Sequence, residues 1–142
     1  MRFVDLVGRE LGPSSWLEVT QDRIDAFADA TDDHQWIHVD VERATTGPFG
    51  GTVAHGYLTL SLVVTMLRDV MPLPGTATLN YGVDRVRFPA PLPSGSRIRG
   101  RFVVEAVEEK PRGTLVRLAA TVEPEQGEKP VCVADLLLLV VA

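Results

Sequence analysis

At 142 residues, with 45% hydrophobic and 23% charged side chains, the chain reads as a single soluble domain over 1–142, large enough to fold around its own core. Its net charge of −5 argues against a nucleic acid partner, and no apolar run approaches the ~20 residues of a membrane span, so no membrane partner is expected. The lone Cys132 excludes an internal disulfide and reads as a core residue, and Met1 to Gly12 lacks a signal peptide's apolar stretch, which together point to the cytoplasm.

Met1 to Pro13 reads as a lead-in that packs on the body. Ser15 to Thr20 predicts a first strand. A helix follows: Thr20 caps its start, Asp22 suits its first turn, and Val19 meets Ile24 as a hydrophobic staple. Ile24, Phe27 and Ala28 share one face, and the pattern ends near Thr31. Asp32 to His38 is short and polar, a turn plus one extended or helical turn. Val39 to Phe49 is a loop carrying a short helix, with Pro48 helping to end it.

From Gly56 to Arg68 the chain is apolar on nearly all sides: Tyr57, Leu58, Leu60, Leu62, Val63, Val64, Met66 and Leu67. A helix apolar all round is buried all round, and Pro72-Leu73-Pro74-Gly75 stops it. Strands come next. Leu79, Tyr81 and Val83 alternate, then the parity flips to Val86 and Phe88, which marks a bulge near Asp84. Ile98, Phe102, Val104 and Ala106 alternate, as do Val116, Leu118, Ala120 and Val122. Val131 and Val133 lead into the continuous apolar run Leu136 to Val141, which suits a strand covered on both faces. Turns fall at Pro91 to Gly95, Pro111 to Gly113 and Glu125 to Gly127. One buried helix followed by long antiparallel strands predicts an α+β chain with a hot-dog fold, a curved antiparallel sheet wrapped around a central helix. Its exposed sheet edges predict a homodimer.

All three histidines, His34, His38 and His55, fall in one short stretch with Asp32 and Asp33. Three readings compete there. Asp33 and His38 can be ordinary loop residues, Asp33 merely ending the helix. His34 and His38 have the spacing of two metal ligands on one helical face, with Asp32, Asp33 or His55 as a third, although Gln35 stands where a metalloprotease helix has its Glu. In the third reading Asp33 and His38 are an acid–base pair for a small molecule. Gly56 then opens the buried helix, whose first N–H groups can bind an oxyanion.

Phe27-Ala28-Asp29-Ala30-Thr31-Asp32-Asp33-His34-Gln35-Trp36-Ile37-His38, followed by Ala54-His55-Gly56-Tyr57, resembles the hydratase motif of the MaoC-like family, in particular its nodulation protein N-like branch. Asp33 and His38 match the family's Asp and His in spacing, and His55-Gly56 matches its His-Gly helix start. Arg85 to Pro91 and Pro93-Ser94-Gly95 resemble the family's strand and turn, so the likeness covers most of the chain. Many members carry Gly, Asn and Pro where Asp32, Gln35 and Trp36 stand here. The resemblance implies an (R)-specific enoyl-CoA hydratase, which adds water to a trans-2-enoyl thioester. Catalysis would fall to Asp33 and His38, the oxyanion to Gly56, and orientation of water or loop to Gln35. The substrate would be an acyl-CoA thioester carried on coenzyme A, with no metal and no other cofactor. Arg85 and Arg87 are candidates for the coenzyme's phosphates, though solvent-facing strand positions explain them equally simply. A hot-dog thioesterase and a non-catalytic acyl-thioester binding module are the alternatives; the presence of both Asp33 and His38 speaks against the second.

Overall fold

The computed structural model describes residues 2–74 and 77–142. A 3-10 turn (Phe3–Leu6) and two short strands, β1 (Glu10–Leu11) and β2 (Leu17–Glu18), lead into α1 (Gln21–Thr31). Two single-turn helices, α2 (Trp36–Val39) and α3 (Val41–Ala44), precede the long α4 (Gly56–Val70). Four long strands follow: β3 (Ala77–Arg87), β4 (Arg97–Lys110), β5 (Gly113–Pro124) and β6 (Cys132–Val141). They form one antiparallel sheet in the order β1-β4-β5-β6-β3, with β2 also paired to β4.

The local signals act as expected around α1. The Thr20 hydroxyl accepts the Arg23 N–H at 3.1 Å, and Val19 and Ile24 are both fully buried. Asp32 closes the helix in the left-handed region, at φ 60°. The first strand is shorter than the Ser15 to Thr20 segment predicted, because only Leu17 and Glu18 align with β4.

Helix α4 packs Leu58, Leu62, Val63, Met66 and Leu67 against Ile98, Phe102, Val104, Val116, Leu118, Leu136 and Leu138 of the sheet. These five helical side chains contribute on the order of 10 kcal/mol of apolar burial. The fold is therefore the α+β hot-dog arrangement, with an open sheet around a central helix. The helix is not buried all round, however. Tyr57, Ser61, Thr65, Arg68 and Asp69 are exposed, and they recur at helical spacing along one stripe. It also runs two residues beyond Arg68, to Val70; of the predicted stop, Gly75 lies outside the described residues.

The strands correct three further expectations. In β3 the pairing shifts between Asp84 and Arg87, as the parity flip requires, and Arg85 takes φ 49°; a second shift lies between Asn80 and Gly82. Leu79, Tyr81 and Val83 do not enter the core: they are exposed on β3, the free edge of the sheet. In β4 a register shift between Val104 and Ala106 turns Ala106 outward. In β6 the even-numbered residues Cys132 to Val140 face the core, while Val133, Asp135 and Leu137 on the other face stay half-buried, so only one face is fully covered.

Cys132 is buried, and desolvation pushes its thiol up to about 11. Its thiolate population near pH 8 is therefore small. Alkylation by iodoacetamide at that pH is expected to be at least ~10-fold slower in the native protein than in the denatured chain. Equal rates would show that the position is open.

Candidate active site

The end of α1 and the start of α4 meet at one point. After the left-handed turn at Asp32, residues 33–35 run without regular structure into α2, which delivers His38. The Val53 N–H donates to Ile37 O at 3.0 Å and the Ala54 N–H to Leu92 O at 2.8 Å, which ties the approach to α4 onto α2 and onto the loop before β4. His55 is the N-cap of α4, and its carbonyl accepts from Leu58 and Thr59.

Asp33 is exposed, whereas His38 and His55 are buried. One nitrogen or carboxylate oxygen from each of the three lies within 4.8 Å of the others. The two imidazoles stack face to face, with centroids 3.8 Å apart and planes 22° apart; Phe27 packs on His55 at 4.9 Å. His38 Nδ1 lies 2.6 Å from Val53 O, and His55 Nε2 lies 2.9 Å from Asp33 O. A carbonyl oxygen only accepts, so both of these nitrogens carry their proton. In the neutral rings this leaves a lone pair on His38 Nε2 and another on His55 Nδ1. The His55 Nδ1 atom is fully buried and has no hydrogen-bond partner among the described residues. An unpaired buried acceptor costs about 1–3 kcal/mol.

The metal-ligand pairing of His34 with His38 does not form. His34 is exposed and bonded to Asp29 at 2.9 Å, and that hydrogen bond holds its imidazole above the usual histidine range. The set with metal-ligand spacing is instead Asp33, His38 and His55. Gln35 is exposed at the N-cap of α2, where its side chain makes no capping bond. Gly56 opens α4 as predicted, but the side on which it lacks a Cβ is filled: a methyl group there would sit 3.0 Å from the Phe88 ring. A side chain at this position would need the Phe88 ring to shift by a few tenths of an ångström. The Gly56 N–H belongs to the first turn and has no intrahelical acceptor, so it remains available beyond the helix end. One turn further along α4, Leu60 and Val64 line a cavity of about 200 Å³ with Val83, Leu136 and Leu138, and Ser61 and Asn80 add polar groups to its wall. Arg85 is paired with Asp135 at 2.9 Å, and Arg87 bonds the Val86 carbonyl; both are exposed strand residues.

Support for His38 comes from residues that carry no signal in the sequence. Gln21 Nε2 donates to the His38 carbonyl at 2.7 Å and to Asp25 at 2.9 Å, and its oxygen accepts from the buried Thr52 hydroxyl at 2.6 Å. Gln21 sits in the first turn of α1, where an amide looks like any surface residue. Replacing Gln21 by Ala leaves the Thr52 hydroxyl and the His38 carbonyl without these partners. A loss of about 1–3 kcal/mol is expected, measured by denaturant unfolding with an unchanged slope.

The family model described as MaoC like domain matches residues 2–125. The chain is 46% identical over 137 residues to 3-hydroxyacyl-thioester dehydratase Z of Mycobacterium tuberculosis, covering 95% of this chain and 91% of the relative. It is 49% identical over 138 residues to nodulation protein N of Rhizobium leguminosarum bv. viciae, covering 94% and 86%. Among solved structures, the unliganded R-hydratase PhaJ1 of Pseudomonas aeruginosa superimposes with a TM-score of 0.78 at 25% identity, covering 98% of this chain and 84% of that one.

Proposed function

Because the chain belongs to the MaoC-like dehydratase family, we propose that it adds water to trans-2-enoyl-CoA thioesters, or removes it from the (R)-3-hydroxyacyl form, with Asp33 and His38 as the acid–base pair. The observation that carries this reading is the Asp33 carboxylate and the His38 ring gathered at the end of α4 that Gly56 opens. The unprotonated His38 Nε2 accepts a hydrogen bond from the reacting water. Asp33 takes a proton from that water as its oxygen bonds to C3. The C2–C3 π pair shifts toward the thioester, and the charge developing on its oxygen meets the Gly56 N–H. The proton taken by the pair returns to C2. Atoms and electrons balance, so the step calls for no redox partner. With Asp33 and His38 moving the proton and the Gly56 N–H meeting the charge, the proposal uses no metal and no cofactor beyond the coenzyme A of the substrate. Gln35, exposed beside Asp33, orients the water or the loop. The acyl chain follows the groove between Leu60, Val64 and Leu138.

Homodimerisation belongs to the same proposal. The exposed stripe of α4 and the free β3 edge, with Leu79, Tyr81 and Val83, form the surface that a second copy covers. Light scattering is expected to give twice the chain mass, and a charged residue at Tyr81 or Val83 is expected to shift the protein toward monomer. A monomeric wild type at working concentration would overturn this.

The Asp33→Asn substitution keeps the size of the side chain and removes the base. Turnover of crotonyl-CoA, followed as loss of the conjugated absorbance, is expected to fall by roughly 10²-fold or more with the melting temperature unchanged. Metal analysis of both proteins separates this from loss of a bound ion. Release of free thiol by the wild type would indicate a thioesterase, and wild-type turnover by the variant would sink the assignment.

A further inference from the structure

We propose that His55 is a positioning residue that holds Asp33 and His38 as one unit, one ring edge on the Asp33 backbone and one ring face on the His38 imidazole; this rests on the hydratase reading of the site. Asp33 lies in the irregular stretch between α1 and α2, so no helical or strand ladder fixes it. The His55 Nε2–H bond to its carbonyl, at 2.9 Å, supplies a fixed point from the opposite side of the site. The same ring lies flat on His38 at 3.8 Å, with Phe27 against it. His38 is pinned at Nδ1 by Val53, the residue two before His55. The contact at Nδ1 fixes one edge of the His38 ring, and the stack fixes its plane. Together they fix the orientation of the His38 ring within the cluster that contains the Asp33 carboxylate.

The unpartnered Nδ1 of His55 separates this role from packing. A purely space-filling residue at this position would be apolar, since an apolar side chain leaves no unpaired buried acceptor. The imidazole does what Phe cannot: it presents a flat ring to His38 while donating from its far edge to Asp33. As the N-cap of α4, His55 also joins this pair to the helix start at Gly56, so the oxyanion donor and the acid–base pair share one anchor.

Two variants divide the role. His55→Phe keeps the ring face and loses the donor; His55→Gln keeps an N–H donor on a longer arm and loses the ring. For His55→Phe, kcat on crotonyl-CoA is expected to drop by about 10²-fold, as displacements near 1 Å do, with KM within a few-fold and melting temperature unchanged or higher. His55→Gln is expected to regain part of that loss. NMR reads the contact without reference to activity. In the wild type at neutral pH, the side-chain nitrogen shifts should show His55 as the Nε2–H tautomer. The His34 backbone amide shares its peptide unit with the Asp33 carbonyl, so its signal should move in His55→Phe and return toward the wild-type position in His55→Gln. Wild-type kcat in a folded His55→Phe protein, or an Nδ1–H tautomer at His55, would overturn the proposal. A wild type with the expected tautomer but no hydratase activity would instead overturn the hydratase reading.

Discussion

The apolar stripe of α4 pressed into the sheet is the constraint on which the rest of the molecule depends. Its burial term, on the order of 10 kcal/mol, is comparable to the whole net stability of a domain this size. Once Leu58, Leu62 and Met66 are seated, the helix start can lie only at one end of the sheet. The Phe88 ring packs beside Gly56, 3.0 Å from where a Cβ would stand. The site is thus built on the most strongly buried element of the chain. Its reacting groups arrive from less regular segments that must be tied to that element.

Two backbone carbonyls do the tying, and they also decide the chemistry. Val53 O and Asp33 O can only accept, so each forces a proton onto the imidazole nitrogen it meets. The consequence for the two rings differs. His38 keeps its free lone pair on Nε2, in the cluster with the exposed carboxylate. His55 keeps its lone pair on Nδ1, sealed from solvent. The stacked imidazoles, with nearly parallel planes, thus keep their free lone pairs on different nitrogens, Nε2 in His38 and Nδ1 in His55. Gln21 extends the same logic: it donates to the His38 carbonyl without competing for the ring, and the Thr52 hydroxyl in turn donates to the Gln21 oxygen.

Much of this was legible in the sequence because the signals were local. Thr20, Asp22 and the Val19–Ile24 staple specify α1 through contacts a few residues apart, and the parity flip after Val83 announced the bulge. His38 could be singled out because the chain's three histidines are scarce and clustered, Asp33 because it stands beside them, and Gly56 because it opens the long apolar helix. What stayed hidden depended on partners distant in sequence. Phe88 lies far from Gly56 in the chain, so the ring that packs beside this glycine carried no local signal. His55 was visible as one of three clustered histidines, a candidate metal ligand and part of a motif, but not as a link between Asp33 and His38, because those contacts run across a loop. The outward turn of Ala106 follows from a register shift that alternation alone does not reveal.

The helix that was expected to be apolar on every side shows how such an error arises and what it carries. Leu60 and Val64 are apolar, yet they lie beside the exposed stripe and are only partly covered. They pack against the margin of the core and also line the cavity beside Leu136 and Leu138. Ser61 and Thr65, on the same side, are polar and exposed, which a helix enclosed within one chain would not require. The composition of α4 is therefore the sum of three demands: a core face, a groove wall and an outer stripe. Hydrophobicity along the sequence reports only their sum, and the division between them becomes visible only when the β3 edge is known to be free.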